Sequence, residues 1–359
     1  MTAVGDILEL SYGKALKKAD RDGGDVPVVG SGGVVGGHSS GITDAPTIVV
    51  GRKGSIGSVT WVDGPAWPID TAYFVKPKGD DLDRRWAYWM LRSLHLETMN
   101  KSAAVPGLNR DDVYRLNVTV PPVAEQRRIA AILDHADALR SKRQQVLTHL
   151  DVLAESIFDE FFAEPPSRWW PLNDLAEKVV VGHVGPTSEF FRPTGVPFLR
   201  TGNVGKGRLV RDGLAHVTTE FHERLQKSQI RKGDVLISRV ITDEVRAAVT
   251  PPEFDGANCA NIIVVRPSDR LLPSTVLGYI SRGGTQRRLV GRRVGSAQGV
   301  VNTTVLKELP MPLYPVEAQR RLADRVERMT VQGVAVQRAL EANDSLFASL
   351  QSRAFRGEL

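Results

Sequence analysis

The sequence predicts an α+β chain: two tandem mixed α/β units, each followed by a long helix. Three observations carry this reading. A nine-residue segment occurs twice, short β-branched runs precede each copy, and apolar residues at alternating spacings of three and four follow each copy.

The duplicated segment is Pro122-Val123-Ala124-Glu125-Gln126-Arg127-Arg128-Ile129-Ala130, which returns as Pro315-Val316-Glu317-Ala318-Gln319-Arg320-Arg321-Leu322-Ala323, an offset of 193. At the same offset Asn109 falls on Asn302 and Leu116 on Leu309. Further upstream the matches keep their order while the offset shrinks. Val75-Lys76-Pro77 matches Val265-Arg266-Pro267 at 190, Ile48–Arg52 matches Val235–Arg239 at 187, and Val4–Ile7 matches Leu172–Leu175 at 168. A steadily drifting offset is what a tandem duplication with a few insertions produces.

Within the first unit the predicted strands are Val26–Val29, Thr47–Val50, Ser58–Val62, Ala72–Val75 and Asn117–Val120. In the second they are Phe198–Thr201, Asp234–Ile237, Ile262–Val265 and Leu309–Leu313. Helices are expected over Arg84–Met99, where Trp86, Trp89, Met90 and Leu94 share a face, and over Pro273–Val290. The Gly-rich stretch Gly30–Gly37 reads as a turn. Asn109 before Asp111-Asp112 reads as a helix start.

From Val123 to Glu164 there is neither Pro nor Gly, enough for a helix of about 60 Å. Ile129, Ile132, Ala136, Leu139, Val146, Leu150, Leu153 and Ile157 form its apolar seam, interrupted by Arg143. The second long helix carries Leu322, Val326, Met329, Val336, Leu340, Phe347 and Leu350, with Gly333 and Asn343 in seam positions. A heptad seam seeks a partner helix. The other copy is the obvious one, and the expected helix–helix contacts are Ile129, Ile132, Leu139, Val146, Leu150, Leu153, Leu322, Val326, Met329, Val336, Leu340 and Phe347. The predicted boundaries are residues 1–121 for the first mixed unit, 122–164 for its helix, 165–314 for the second unit and 315–359 for the last helix.

Bulk composition narrows the function. The chain has 359 residues and a net charge of +6, unevenly spread: residues 1–120 carry 0, 121–164 carry −3, 165–314 carry +8 and 315–359 carry +1. A basic excess fits a polyanionic partner. The lone cysteine, Cys259, rules out an intrachain disulfide or thiolate zinc cluster and points to a reducing compartment. No stretch approaches the ~18 apolar residues of a membrane span. No phosphate loop, His-Glu-x-x-His zinc motif, dinucleotide fingerprint or calcium loop is present, so no catalytic residue, metal ligand or bound cofactor is expected in this chain.

Nucleic-acid contacts are expected at Gly-rich or basic loops that fall at equivalent places in both units. Arg52, Lys53 and Ser55 lie in the Gly51–Gly57 turn, where glycines let backbone approach a phosphate and cations supply forked donors. Arg110, Arg200, Asn203 and Arg239 follow predicted strands or loops, and Asn and Arg are the side chains suited to adenine and guanine edges. Arg288, Arg292 and Arg293, running toward Gln298, form the densest cationic stretch. A nuclease with an unrecognised site and a coiled-coil adaptor are other readings these residues leave open.

The order of features resembles the specificity subunit of type I restriction–modification systems over essentially the whole chain. The carrying residues are Pro106-Gly107-Leu108-Asn109, Leu116–Val120 and Pro121–Ile129, then Gly295–Asn302, Leu309–Leu313 and the second Pro-x-x-x-Gln-Arg opening. Ala318 departs from the family's usual acid, with Glu317 beside it. The resemblance implies two target-recognition domains, each reading half of a gapped double-stranded DNA site. The helices would pair antiparallel as a coiled coil, set the gap, and dock two methylation subunits that bind S-adenosylmethionine. It also implies motor/endonuclease subunits in the assembly, a cytoplasmic, prokaryotic and DNA-associated setting, and no membrane partner. The recognition module of another DNA-modifying assembly would show the same residues.

Overall fold

The computed structural model describes residues 1–44, 46–99, 107–241, 244–291 and 299–359. The chain divides into two compact units, residues 1–143 with 339–359, and residues 144–338. Four helices are labelled here: α1 (Arg84–Ser93), α2 (Val123–Ala163), α3 (Pro273–Ser281) and α4 (Val316–Arg356). Each unit contains one mixed domain and a portion of both long helices, α2 and α4.

In the first unit an antiparallel sheet runs in the spatial order Leu8–Tyr12, Ala72–Pro77, Thr47–Gly51, Val59–Val62. A second sheet places Val26–Gly30 between Gly33–His38, antiparallel, and Trp67–Pro68, parallel. The other unit repeats this plan. Its first sheet runs Ala176–Val181, Ile262–Pro267, Val235–Ser238, Ala247–Val249, all antiparallel. In its second sheet Val196–Leu199 again has an antiparallel neighbour, Ala215–Val217, and a parallel one, Asn258–Cys259. A two-stranded clasp closes each domain, Thr2–Ala3 with Asn117–Val118 and Arg168–Pro171 with Pro310–Leu313.

The duplication extends to single hydrogen bonds. Gly13 donates its amide to Ala72 O, and Gly182 donates to Ile262 O. No side chain fits at either glycine: a Cβ would lie 2.2 Å from Ile69 O at Gly13 and 2.6 Å from Cys259 Sγ at Gly182. Asn109 and Asn302 each cap a short helix by accepting the amide two residues on.

Two elements differ from the sequence expectation. Gly33–His38 is a strand rather than part of a turn, because the reversal is confined to Ser31-Gly32 and the following glycines pair with Val26–Gly30. The expected helices are shorter. The first ends at Ser93, with His95 in a left-handed conformation (φ 49°), and continues only as a turn at Leu96–Met99. The second breaks at Arg282 before Gly283-Gly284, a pair of poor helix formers, and resumes over Gly283–Gly291.

α1 buries Trp86, Ala87, Tyr88, Trp89, Met90 and Leu91. Its Trp89 ring lies 5.4 Å from Phe347 of α4, and its indole donates to Asp134 of α2 at 2.8 Å. In the second unit α3 lies against α2 so closely that a Cβ on Gly278 would sit 2.3 Å from Phe158. Each domain thus rests on both long helices.

Within each unit α2 and α4 run antiparallel. Arg128 reaches Leu359 O and Arg140 pairs with Asp344 in one; Arg325 pairs with Glu160, and Gly333 faces Leu150, in the other. On α4 the seam is turned inward: Leu322, Leu340 and Phe347 are buried, and Val326, Met329 and Val336 half-buried. On α2 it is not. Ile129 is buried and Ile132 and Leu150 half-buried, but Leu139, Val146 and Leu153 are 38%, 43% and 50% exposed. The inward positions are one residue later, at Leu133, Arg140, Leu147 and Ala154. The apolar doublets Ile132-Leu133, Val146-Leu147 and Leu153-Ala154 permit either phase. Asp134, held by Arg85 and Trp89 of α1, selects the phase that turns Leu133 inward.

Candidate nucleic-acid interface

The loops at one end of the first domain converge on Arg52. The strands Thr47–Gly51 and Val59–Val62 enclose the expected turn, with Gly54 and Gly57 at φ 79° and 73°. A Cβ at Gly57 would lie 2.3 Å from the carbonyl carbon of Leu96, so the turn is pressed against the segment after α1. Arg52 and Lys53 both donate backbone N–H to Thr71 O, and Arg52 O accepts from Leu108 N–H at 2.9 Å. Ser58 Oγ donates to Ser31 O, bringing in the tip of the second sheet.

The Arg52 guanidinium donates to Asp70 O at 3.1 Å and stacks 4.9 Å over Tyr12. The Arg110 guanidinium lies 5.0 Å from the same ring. Tyr12 is half-exposed, so two cations and an aromatic face share one accessible patch. Tyr73, beneath it, donates its hydroxyl to Leu108 O, and burial raises its pKa, so the phenol adds no negative charge here. Glu9 is held ionised by a hydrogen bond from Ser11, with Lys76, Lys78 and Arg110 adding to the effect. Lys53 and Ser55 are exposed at the turn's tip.

In the second domain Arg239 occupies the place of Arg52. It follows the equivalent strand, Val235–Ser238, and its carbonyl accepts from Val301 N–H at 2.8 Å, as Arg52 O accepts from Leu108. Nearby is a polar cleft of about 490 Å³ lined among others by Thr187, Arg200, Thr201, Gly202 and Asn261. Arg200 is exposed, donates to Gly213 O at 2.6 Å and lies 5.6 Å over Phe191. Arg288 is exposed on the helix Gly283–Gly291. Arg292, Arg293 and Gln298 lie outside the described residues.

Asn203 is a correction. Its side chain is 2% exposed, accepts from Arg200 N–H and donates to Val210 O and Asp212 O. With its amide spent on backbone it builds the loop and has no free edge for a base.

Tyr12 was missed in the sequence. Its signal is weak, an aromatic closing a strand outside the recognised runs, and only the fold stacks it between Arg52 and Arg110. Among the described residues no cluster of His, Cys, Asp or Glu could hold a metal ion. Burial raises the Cys259 thiol to about 12, which removes it as a thiolate nucleophile. No helix among the described residues is long and apolar enough to cross a membrane.

Residues 1–149 match the family model for the type I restriction modification DNA specificity domain. The chain is 22% identical over 351 residues to the type I restriction enzyme EcoBI specificity subunit of Escherichia coli, covering 87% of this chain and 73% of the relative. It is also 22% identical to the EcoDI specificity subunit of the same organism, over 99% of this chain and 87% of the relative. The fold is similar to that of the type I restriction-modification S subunit from M. genitalium, with a TM-score of 0.68, 15% identity, and coverage of 98% and 95%.

Proposed function

The chain belongs to the specificity-subunit family of type I restriction–modification systems, and from that premise we propose how its two domains share the reading of DNA. The domain within residues 1–121 reads one half of a gapped duplex site and the domain within 165–314 reads the other. The observation that carries this is the paired placement of Arg52 and Arg239, each at the end of the equivalent strand and each with its carbonyl accepting the equivalent backbone N–H hydrogen bond, from Leu108 and Val301. Two copies of one recognition surface, each centred on a forked donor, suit a bipartite target.

Arg52, Arg110 and Tyr12 form the reading patch of the first domain, with Lys53 and Ser55 on adjoining phosphates. Arg239 and Arg200 form that of the second, with Arg288 and the undescribed Arg292, Arg293 and Gln298 on the flanking backbone. Phosphate contacts hold register while side chains at base edges specify. The chain itself carries out no bond-making step. S-adenosylmethionine and methyl transfer to adenine belong to two partner methylation subunits docked on α2 and α4, and cleavage belongs to a motor subunit. The setting is the prokaryotic cytoplasm.

The test is single-molecule detection of modified bases in DNA from cells making this chain with its methylation subunit. The expected result is methyladenine in a two-part gapped motif that disappears when this chain is omitted. Assembled complex with no new methylation overturns the reading.

A further inference from the structure

Gln126 and Gln319 hold the same place in the duplicated segment, each in the first turn of its long helix. Both are long polar side chains with almost no exposure, 1% and 0%. Gln126 Oε1 accepts from Asp83 N–H at 2.7 Å, and its Nε2 donates to Asp81 O at 3.0 Å and Pro121 O at 2.9 Å. Gln319 Oε1 accepts from Leu272 N–H at 2.8 Å and Thr275 Oγ1 at 3.0 Å, and its Nε2 donates to Arg270 O at 2.9 Å and Tyr314 O at 2.8 Å.

The three backbone partners of each amide correspond, and the Thr275 hydroxyl is a fourth partner at Gln319 alone. Asp83 and Leu272 are the residues before α1 and α3; Asp81 and Arg270 stand two residues earlier; Pro121 and Tyr314 stand five residues before each glutamine. Each amide therefore ties three backbone segments: the chain entering the long helix, the long helix itself, and the start of the domain's own helix.

The packing around the two amides is not shared. The first junction uses Trp89, Arg85 and Asp134, and the second uses Gly278 against Phe158. Apolar contact tolerates small rotations, whereas hydrogen bonds weaken steeply away from their preferred angles. The device common to both junctions is the directional one. No substitution keeps it: Asn is too short, Glu would set carboxylate oxygens against two carbonyls, and Met keeps the volume but none of the bonds.

We propose that Gln126 and Gln319 are positioning residues that fix the angle of each recognition domain on its long helix, and so fix the gap length between half-sites. This rests on the DNA-reading role proposed above. One base pair more or less turns a half-site by roughly a tenth of a helical turn, so a domain held at one angle accepts one gap.

The test uses the full chain assembled with its methylation subunit, as wild type, Gln126→Met and Gln319→Met. Methylation rates are measured on duplexes carrying the two half-sites at the native gap and at gaps one base pair longer and shorter. Wild type should strongly prefer the native gap. In each variant the ratio of native to altered gap should fall at least tenfold, with base preference inside both half-sites unchanged. Leu172→Ala, a cut in the buried core outside the hydrogen-bond sets of both glutamines, is the control for instability alone and should leave the ratio unchanged. An unchanged ratio in both glutamine variants, or an equal fall in Leu172→Ala, overturns the proposal. Should the variants not assemble, hydrogen exchange on wild type decides: Asp83 and Leu272 amides should exchange as slowly as the interiors of α1 and α3, and loop-like exchange overturns it. A wild-type complex that methylates no gapped site counts against the DNA-reading role instead.

Discussion

Arg52 shows how much a single residue's role depends on what holds it. Its backbone is bonded at both N–H and C=O, and its side chain is anchored by Asp70 O and stacked on Tyr12. A guanidinium restrained this way loses little further entropy when it meets a base edge. Arg52→Ala should therefore relax base preference in one half-site only, with a loss of about 1–3 kcal/mol in discrimination, and Arg239→Ala should do the same in the other. Competition binding against duplexes with each half-site position varied reads this directly. A uniform loss across all sequences would assign both arginines to phosphates instead. Cys259 gives a second prediction at this scale. Burial holds its pKa near 12, so the native thiol should resist alkylation at neutral pH and react fully once denatured; fast native labelling would contradict its buried placement. Asn203 marks where residue-type reasoning ran out. Its chemistry suits a base edge, but its amide is taken up within its own loop by the backbone of Arg200, Val210 and Asp212, and no periodic pattern in that loop announces these bonds.

At the scale of elements, the long helices and β-branched strands were legible because their signals are periodic and local. Val26–Gly30, Thr47–Gly51 and Ile262–Pro267 follow apolar runs that the sequence displays openly. Edge strands such as Gly33–His38 were not, since a glycine-rich strand is specified by its neighbour rather than by its own side chains. The α2 seam was legible in period but not in phase, because adjacent apolar doublets satisfy both choices and a tertiary contact at Asp134 decides. This difference is measurable. Leu147 is 2% exposed and Leu153 is 50% exposed. Leu147→Ala should cost about 2–5 kcal/mol in stability, and Leu153→Ala should stay within about 0.5 kcal/mol of wild type. Denaturant melts of the two variants would show the reverse order if the inward face were the one carrying Leu139, Val146 and Leu153.

For the whole molecule, duplication gives a chain that supplies DNA specificity two domains of one design. A tandem repeat read on a duplex recognises two places at once, and the useful information lies in bases and spacing together. Affinity should not divide equally, because residues 165–314 carry a net +8 while 1–120 carry 0, so the second domain should supply more of the salt-dependent binding. On the reading proposed above, the paired helices set the spacing. Removing one heptad from both α2 and α4 keeps each seam in register but shortens a straight helix by roughly 10 Å, close to three base pairs of duplex. Seven residues turn the helix by only about 20° from a closed repeat, whereas three base pairs turn the duplex by roughly a quarter of a turn or more. The shortened chain should therefore lose methylation at the native gap, since distance and rotation cannot both be met, while the bases preferred in each half-site stay the same. A library of duplexes with both half-sites fixed and the gap length randomised separates these effects. Full activity retained at the native gap would remove the helices as the spacing element, and changed half-site bases would place sequence reading in the helices rather than in the two domains.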